Sequence, residues 1–371
     1  MEVLIDMSTK INLYPHFFTE KERIISEAGE LRASCFKYDS GVAALRVTNK
    51  RGEIIVLPYQ GQQIWHVTFD DRPLHMKSIF EEPVDTQDYF STYGGFFLHC
   101  GVTAVGVPGL GDTHPLHGEL PNVRYQEAYL THGQDEQGCY ITIGGGYTHK
   151  AALNHHYMAE PTIKMYEDSP ILDVSMKITN LLHRPMEVMY LGHINFRPVD
   201  YAELMYSAPY DSEHVVVNVN VPTHIKSGAC MKDLLAYLQK VKETPALHHI
   251  IDPSAPYDPE GVMFIKYHAD KDGLAHTLQV HPDGYAHYAT HRPDQMDNVI
   301  RWIARTPDHD AMGMVLPLNS GPGGYSAEKA AGNIKTLAPG AKMHFDMQMG
   351  LLEPGLVDRV KQKIEDVKNV I

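Results

Sequence analysis

The sequence predicts a mainly β protein, one large antiparallel β domain spanning residues 1–371 with a few peripheral helices. Three observations carry this. Apolar and polar residues alternate in short runs, as in half-buried strands. Pairs of such runs are joined by turn residues, as in "GQQIWHVTFDDRPLHM" (61–76) and, around Asp283-Gly284, "LAHTLQVHPDGYAHYATH" (274–291). The 21 tyrosines against two tryptophans fit a β-rich chain with polar aromatic tips.

Taken in chain order, residues 19–31 read as a helix, because Thr19 and Glu22 form a capping box ahead of Ile24, Ile25 and Ala28. "LHGELPN" (116–122) reads as a strand, which would put His117 and Glu119 on one face. "ILDVSMKIT" (171–179) alternates Leu172, Val174, Met176 and Ile178 with polar residues. "NLLHRP" then leads into "MEVMYLGHINF", so the two runs read as an antiparallel pair. Helices are predicted at 231–243 and at about 355–370, where Leu356, Val360, Ile364 and Val367 recur at helical spacing. There is no fixed-period repeat, low-complexity tract or evident linker.

At 371 residues with 43% hydrophobic content, the chain can bury a large core. Its 32 basic against 46 acidic residues give a net charge of −14, which disfavours a nucleic-acid partner. No apolar run is long enough for a membrane span, and the N-terminus lacks a secretory pattern. The cysteines Cys35, Cys100, Cys139 and Cys230 form no CxxC pair, so a reducing cytoplasm is the expected location. The oligomeric state stays open, with a homo-oligomer among the alternatives.

The composition stands out in its 23 histidines. Most are expected on strand surfaces or as satisfied core groups, but imidazoles also carry proton transfer and metal ligation. Residues 93–122 bring His99, His114, His117 and Glu119 onto glycine-rich backbone, with neither a Walker-type GKS/GKT nor a GxGxxG. In "YLGHINFRP", His193, Asn195 and Arg197 would share a strand face. Three such groups are poor core material but suit a polyhydroxylated ligand. His149, His155 and His156 read as surface residues. Glu328 sits in the glycine-rich "VLPLNSGPGGYSAEKAAGNI" (315–334), exposed by default. Trp65 and Trp302 could stack on a sugar, though core positions are the ordinary reading.

The ordered segments "GQQIWHVTFDDRPLHM", "GGFFLHCGVTAVGVP", "LHGELPN" and "LGHINF" resemble the aldose 1-epimerase (galactose mutarotase)-like superfamily, in an uncharacterised epimerase-like branch. The matches span about residues 60 to 350. The resemblance implies a large galactose mutarotase-like β-sandwich with a sugar cleft. It implies anomer interconversion of a free monosaccharide by general acid/base catalysis, without metal or organic cofactor. On it, His193 is the general acid, His117 binds near the ring oxygen or anomeric hydroxyl, and Asn195 contacts the ligand. The family's catalytic glutamate falls where this chain reads "GMVLPLNSGP", with Leu316 and Pro317. Glu119 is the expected replacement base, with Glu328 the other candidate. Asn195, Arg197, Glu328 and His99 are the expected substrate contacts.

Two other functions stay open. One is a metal-dependent sugar isomerase or lyase, with a divalent ion held among His99, His114, His117, Glu119 and His193. The other is a carbohydrate-binding protein that has lost its base.

Overall fold

The computed structural model describes residues 8–220, 225 and 231–369. It is a β-sandwich of one nine-stranded and one thirteen-stranded sheet, with antiparallel pairing throughout. The main apolar core draws on both sheets, from Leu45, Val67 and Phe97 to Ile143, Val174 and Phe345. Two of the expected helices are present, Met231–Glu243 and Pro354–Lys368. Among the described residues no helix is long and apolar enough to cross a membrane.

The helix expected at 19–31 is instead a hairpin of strands Arg23–Ala28 and Leu31–Lys37, turning at Gly29 with φ +62°. Its capping box is spent elsewhere. Thr19 Oγ1 donates to Lys21 O, and the Glu22 carboxylate accepts from Ser34 and Arg46 across the sheet. Cross-strand pairing outweighs a local helix signal here.

The hairpins in 61–76 and 274–291 form as expected, Gln63–Phe69 with Arg72–Pro73 and Ala275–Val280 with Ala286–His291. Strand Ile171–Asn180 shows the expected alternation of burial. It does not pair with Met186–Ile194, however. The first strand lies in the nine-stranded sheet, between His155–Tyr166 and Lys342–Leu352; the second lies in the thirteen-stranded sheet. The connection is a corner between sheets, fixed by buried Asn180, whose Nδ2 donates to Arg184 O and Leu337 O, each at 2.9 Å. A short turn-like link signals reversal but does not say which sheet receives the next strand.

Five consecutive neighbours in the larger sheet position the site. In spatial order they are Gly261–Ile265, Asn298–Arg305, Asp310–Leu318, Met186–Ile194 and Phe97–Val102. In the first of these, Met263 and Ile265 enter the core, whereas Val262 and Phe264 are half-buried on the other face. That second face is the floor of a cleft.

Candidate active site

The cleft has a volume of about 280 Å³ and its floor is Val262, Phe264, Ile300, Trp302, Leu316, Leu191 and His193. Loops complete the walls with Tyr89, Phe90, Tyr93, His117 and Pro322, and its polar groups include His117, His193, Glu260, Asn218 and Asn220. A mostly apolar cavity with a few convergent polar groups is the usual form of a small-molecule site.

His193 is 5% exposed near the end of its strand, and its register partner is Leu98 on the neighbouring strand. The ring packs edge-to-face on His117 at 5.4 Å and on Trp302 at 5.7 Å between centroids. Burial pushes its pKa down to about 4, against an opposing contribution from the Asn195 side chain. The resting imidazole is therefore neutral at pH 7.

His117 does not sit on a strand. The run 115–118 is a turn in which His117 has φ +59° and Gly118 φ +80°. His117 N donates to Gly106 O at 3.0 Å and its O accepts from Gly101 N at 2.9 Å. A side chain at Gly118 would collide with the carbonyls of Ala104 and Gly101. The glycine thus lets the loop fold close, which swings His117 into the cleft beside Tyr89, 5.2 Å away between ring centroids.

The same turn parts Glu119 from His117, so the shared face expected for the pair is not formed. The Glu119 carboxylate accepts from Val102 N at 3.1 Å, from Thr103 Oγ1 at 2.6 Å and from the Tyr157 hydroxyl. It does not line the cleft.

The remaining expected site residues are dispersed. The strand ends at Ile194, so His193, Asn195 and Arg197 do not share a face. Asn195 is fully buried behind the cleft, donating to Gly95 O at 2.9 Å and accepting from the Tyr93 hydroxyl at 3.2 Å. It acts on the cleft through Tyr93 and His193. Arg197 is half-buried outside the cleft lining. His99 is fully buried, with Nδ1 2.7 Å from the Tyr190 hydroxyl.

Glu328 is neither exposed nor at the cleft surface. Its carboxylate accepts from Gly321 N at 3.0 Å, Gly323 N at 2.9 Å and Asn333 Nδ2 at 2.7 Å. It holds the loop that presents Pro322 to the cleft. Glu328→Ala strands two loop N–H groups, and a loss of about 1–3 kcal/mol in unfolding free energy is expected. Urea denaturation of the variant checks this.

Among the described residues, no group of three His, Cys, Asp or Glu side chains is placed to hold a metal ion. The five ligands of the metal alternative are not brought together. Cys35, Cys100 and Cys139 are free thiols, and Cys230 lies outside the described residues.

The carboxylate in the cleft is Glu260, which the sequence reading missed. It immediately precedes strand Gly261–Ile265, and Trp302 Nε1 on the adjacent strand donates to its Oε2 at 2.6 Å. Burial raises its pKa, partly offset by that hydrogen bond. Leu316 lines the cleft two strands away, so the carboxylate comes from the strand beyond the adjacent one rather than from the "GMVLPLNSGP" run. In sequence Glu260 shows only as an acidic residue after Asp258-Pro259 in "YDPEGVMF", which carries no chemical signature. Of the two tryptophans, Trp65 is fully buried core, and Trp302 is the one that faces the cleft.

A family model described as a domain of unknown function (DUF4432) matches residues 39–200. That span holds His117 and His193 but not Glu260. No curated protein matches the chain in sequence. A candidate aldose 1-epimerase from Klebsiella pneumoniae superposes with a TM-score of 0.77 at 16% identity, over 97% of this chain and 96% of that one. Galactose 1-epimerase from Lactobacillus acidophilus gives 0.54 at 10% identity, over 90% and 99%. A galactose mutarotase-like protein from Lactobacillus casei gives 0.51 at 14% identity, over 83% and 100%. At these identities the likeness is one of fold, and the fold is galactose mutarotase-like.

Proposed function

We propose that this chain, a galactose mutarotase-like β-sandwich, is a cofactor-free aldose 1-epimerase that interconverts the anomers of an aldose. The observation that carries the reading is the convergence of His117, His193 and Glu260 on one cleft.

In this mechanism Glu260 takes the proton of the C1 hydroxyl. The C1–O5 bond breaks, C1 becomes an aldehyde carbon, and the minor imidazolium form of His193 delivers a proton to O5. Rotation about C1–C2 presents the other aldehyde face, and the same groups reverse their roles on closure. His117 hydrogen-bonds the reacting oxygens from the opposite wall, while Asn218 and Asn220 are placed to bond ring hydroxyls. Trp302 orients the base through its indole N–H. No electron changes hands and both protons are returned, so the chemistry calls for no redox partner.

The test is anomer exchange of a panel of free aldoses by saturation-transfer NMR. Wild type is expected to exceed the buffer blank, and His193→Ala to fall toward it. Binding of an aldose without accelerated exchange would leave a sugar-binding protein and refute the enzyme.

The base assignment separates from the alternative carboxylate. Glu119→Gln is expected to keep exchange within a few-fold of wild type while losing about 1–3 kcal/mol of stability, because its bonds are structural. Exchange rates and urea midpoints measured side by side decide it. If Glu119→Gln abolishes exchange in a folded protein, Glu260 is not the base.

Electrostatics also predicts a pH profile. Burial makes ionised Glu260 a stronger base and protonated His193 a stronger acid, so each proton transfer is favoured while the productive pair of states is depopulated. Because burial sets the base above the acid, the acid limb of kcat/KM breaks at the His193 value of about 4, and the alkaline limb breaks at Glu260, above the usual carboxylate value. A low-ceilinged bell with its maximum below neutrality is expected. A rate that keeps rising from pH 6 to pH 8 would remove His193 as the acid.

A further inference from the structure

Beyond Glu260 and Trp302 the cleft has a neighbour. A second cavity of about 420 Å³ is lined in part by Ile79, Phe80, Asp258, Thr306, Asp308 and His309. It shares Phe90, Tyr93, Ile225, Glu260 and Trp302 with the first. Five common residues make the two compartments adjacent, and the catalytic carboxylate and its indole partner stand at the junction.

The outer compartment is walled by the tip of the hairpin joining Asn298–Arg305 to Asp310–Leu318. That tip is a built turn: Thr306 N donates to His309 O at 2.8 Å, and His309 N to Thr306 Oγ1 at 3.0 Å. Among its other lining residues, Ile79 is 60% and Phe90 49% exposed. Large apolar side chains left in water beside a cavity mark a surface that a ligand covers.

We propose that the outer compartment is a second sugar subsite, so that the preferred substrate is an uncharged reducing disaccharide. This rests on reading the inner cleft as the anomer-exchange site. The reducing ring occupies the inner compartment, since anomerisation needs a free C1 hydroxyl, and the second ring leaves through a ring hydroxyl other than the anomeric one.

Three observations favour this occupant. The inner compartment, at about 280 Å³, falls just below the ~300–1,000 Å³ span of small-molecule sites, and the two together fall within it. The outer walls combine apolar and aromatic faces, Phe80, Phe90 and Trp302, with Asp258 and Asp308. A sugar ring offers both complements, a C–H face for the aromatics and hydroxyl donors for carboxylates that only accept. The same carboxylates repel a phosphate or carboxylate on the second ring.

The test is saturation-transfer-difference NMR and calorimetry on the full chain with maltose, cellobiose and lactose, each beside its reducing-end monosaccharide. At least one disaccharide is expected to bind 10-fold or more tighter than its monosaccharide, with saturation reaching the non-reducing ring. Asp308→Ala/His309→Ala removes polar contacts, and Ile79→Trp narrows the compartment at an exposed position. Both should drive the disaccharide-to-monosaccharide affinity ratio toward one. If no disaccharide exceeds its monosaccharide, or the ratio survives both variants, the subsite is overturned. Because binding is read separately from exchange, two-ring binding without accelerated anomer exchange would sink the epimerase reading and leave the subsite standing. Exchange of monosaccharides alone would do the reverse.

Discussion

Glu260→Gln is expected to reduce accelerated anomer exchange by about 10²–10⁴-fold, the range contributed by a positioned general base. The variant should fold, because the amide oxygen can still accept from Trp302 Nε1, which donates to the carboxylate at 2.6 Å in the native protein. The substitution also removes a buried charge whose solvation is already poor, as its raised pKa shows. Unfolding free energy should therefore change little or rise. Exchange rates at several aldose concentrations, with circular dichroism as a control on folding, check both statements. Unchanged exchange in a folded Gln variant would remove Glu260 from the mechanism and turn attention to the two imidazoles.

The second large effect is on stability. Lowering the pH from 7.5 to 5.0 should cost several kcal/mol of unfolding free energy before any carboxylate chemistry dominates. Burial lowers His99 and His291 to about 3 and His193 to about 4. It also lowers His66 to about 3, and His249 and His281 to about 4.

The unfolded chain protonates these imidazoles near 6.5, whereas the native protein keeps them neutral well below that. Between those values the unfolded state binds more protons, so stability rises with pH and is lost as pH falls. At pH 5 each such group costs roughly 2 kcal/mol, from 1.36 kcal/mol per pH interval. His99, His193 and His291 together reach the lower end of the ~5–15 kcal/mol of a typical domain. Glu260 and Asp173, whose carboxyls burial raises, act in the opposite sense but are few. Urea unfolding at the two pH values measures the difference. A change under about 1 kcal/mol would mean that water or counter-charges reach these rings.

These predictions show what the histidine count meant. Twenty-three histidines flagged a chain in which imidazoles matter, yet among the described residues only His117 and His193 line the candidate site. His99 shares the glycine-rich neighbourhood of His117 and looked equivalent in sequence. It points into the core because strand Phe97–Val102 is buried on both faces. Periodicity tells which residues share a side of a strand. It does not say which side faces a cavity once both are covered.

The sequence by itself determined the β-rich class, the hairpins in 61–76 and 274–291, and the helices Met231–Glu243 and Pro354–Lys368, and it marked His117 and His193 as candidates without placing them together. These rest on local alternation, turn chemistry, helical spacing and short ordered motifs, all of which a few neighbouring residues encode. Tertiary structure decided the rest. It made a hairpin of 19–31 by offering Glu22 partners across the sheet, and sent Met186–Ile194 into the opposite sheet from Ile171–Asn180. It also turned Glu119 away and brought Glu260 in beside Trp302. Each of these depends on contacts between residues tens of positions apart or on a change of sheet. Pairing and burial across that distance set the outcome, and no local pattern carries them.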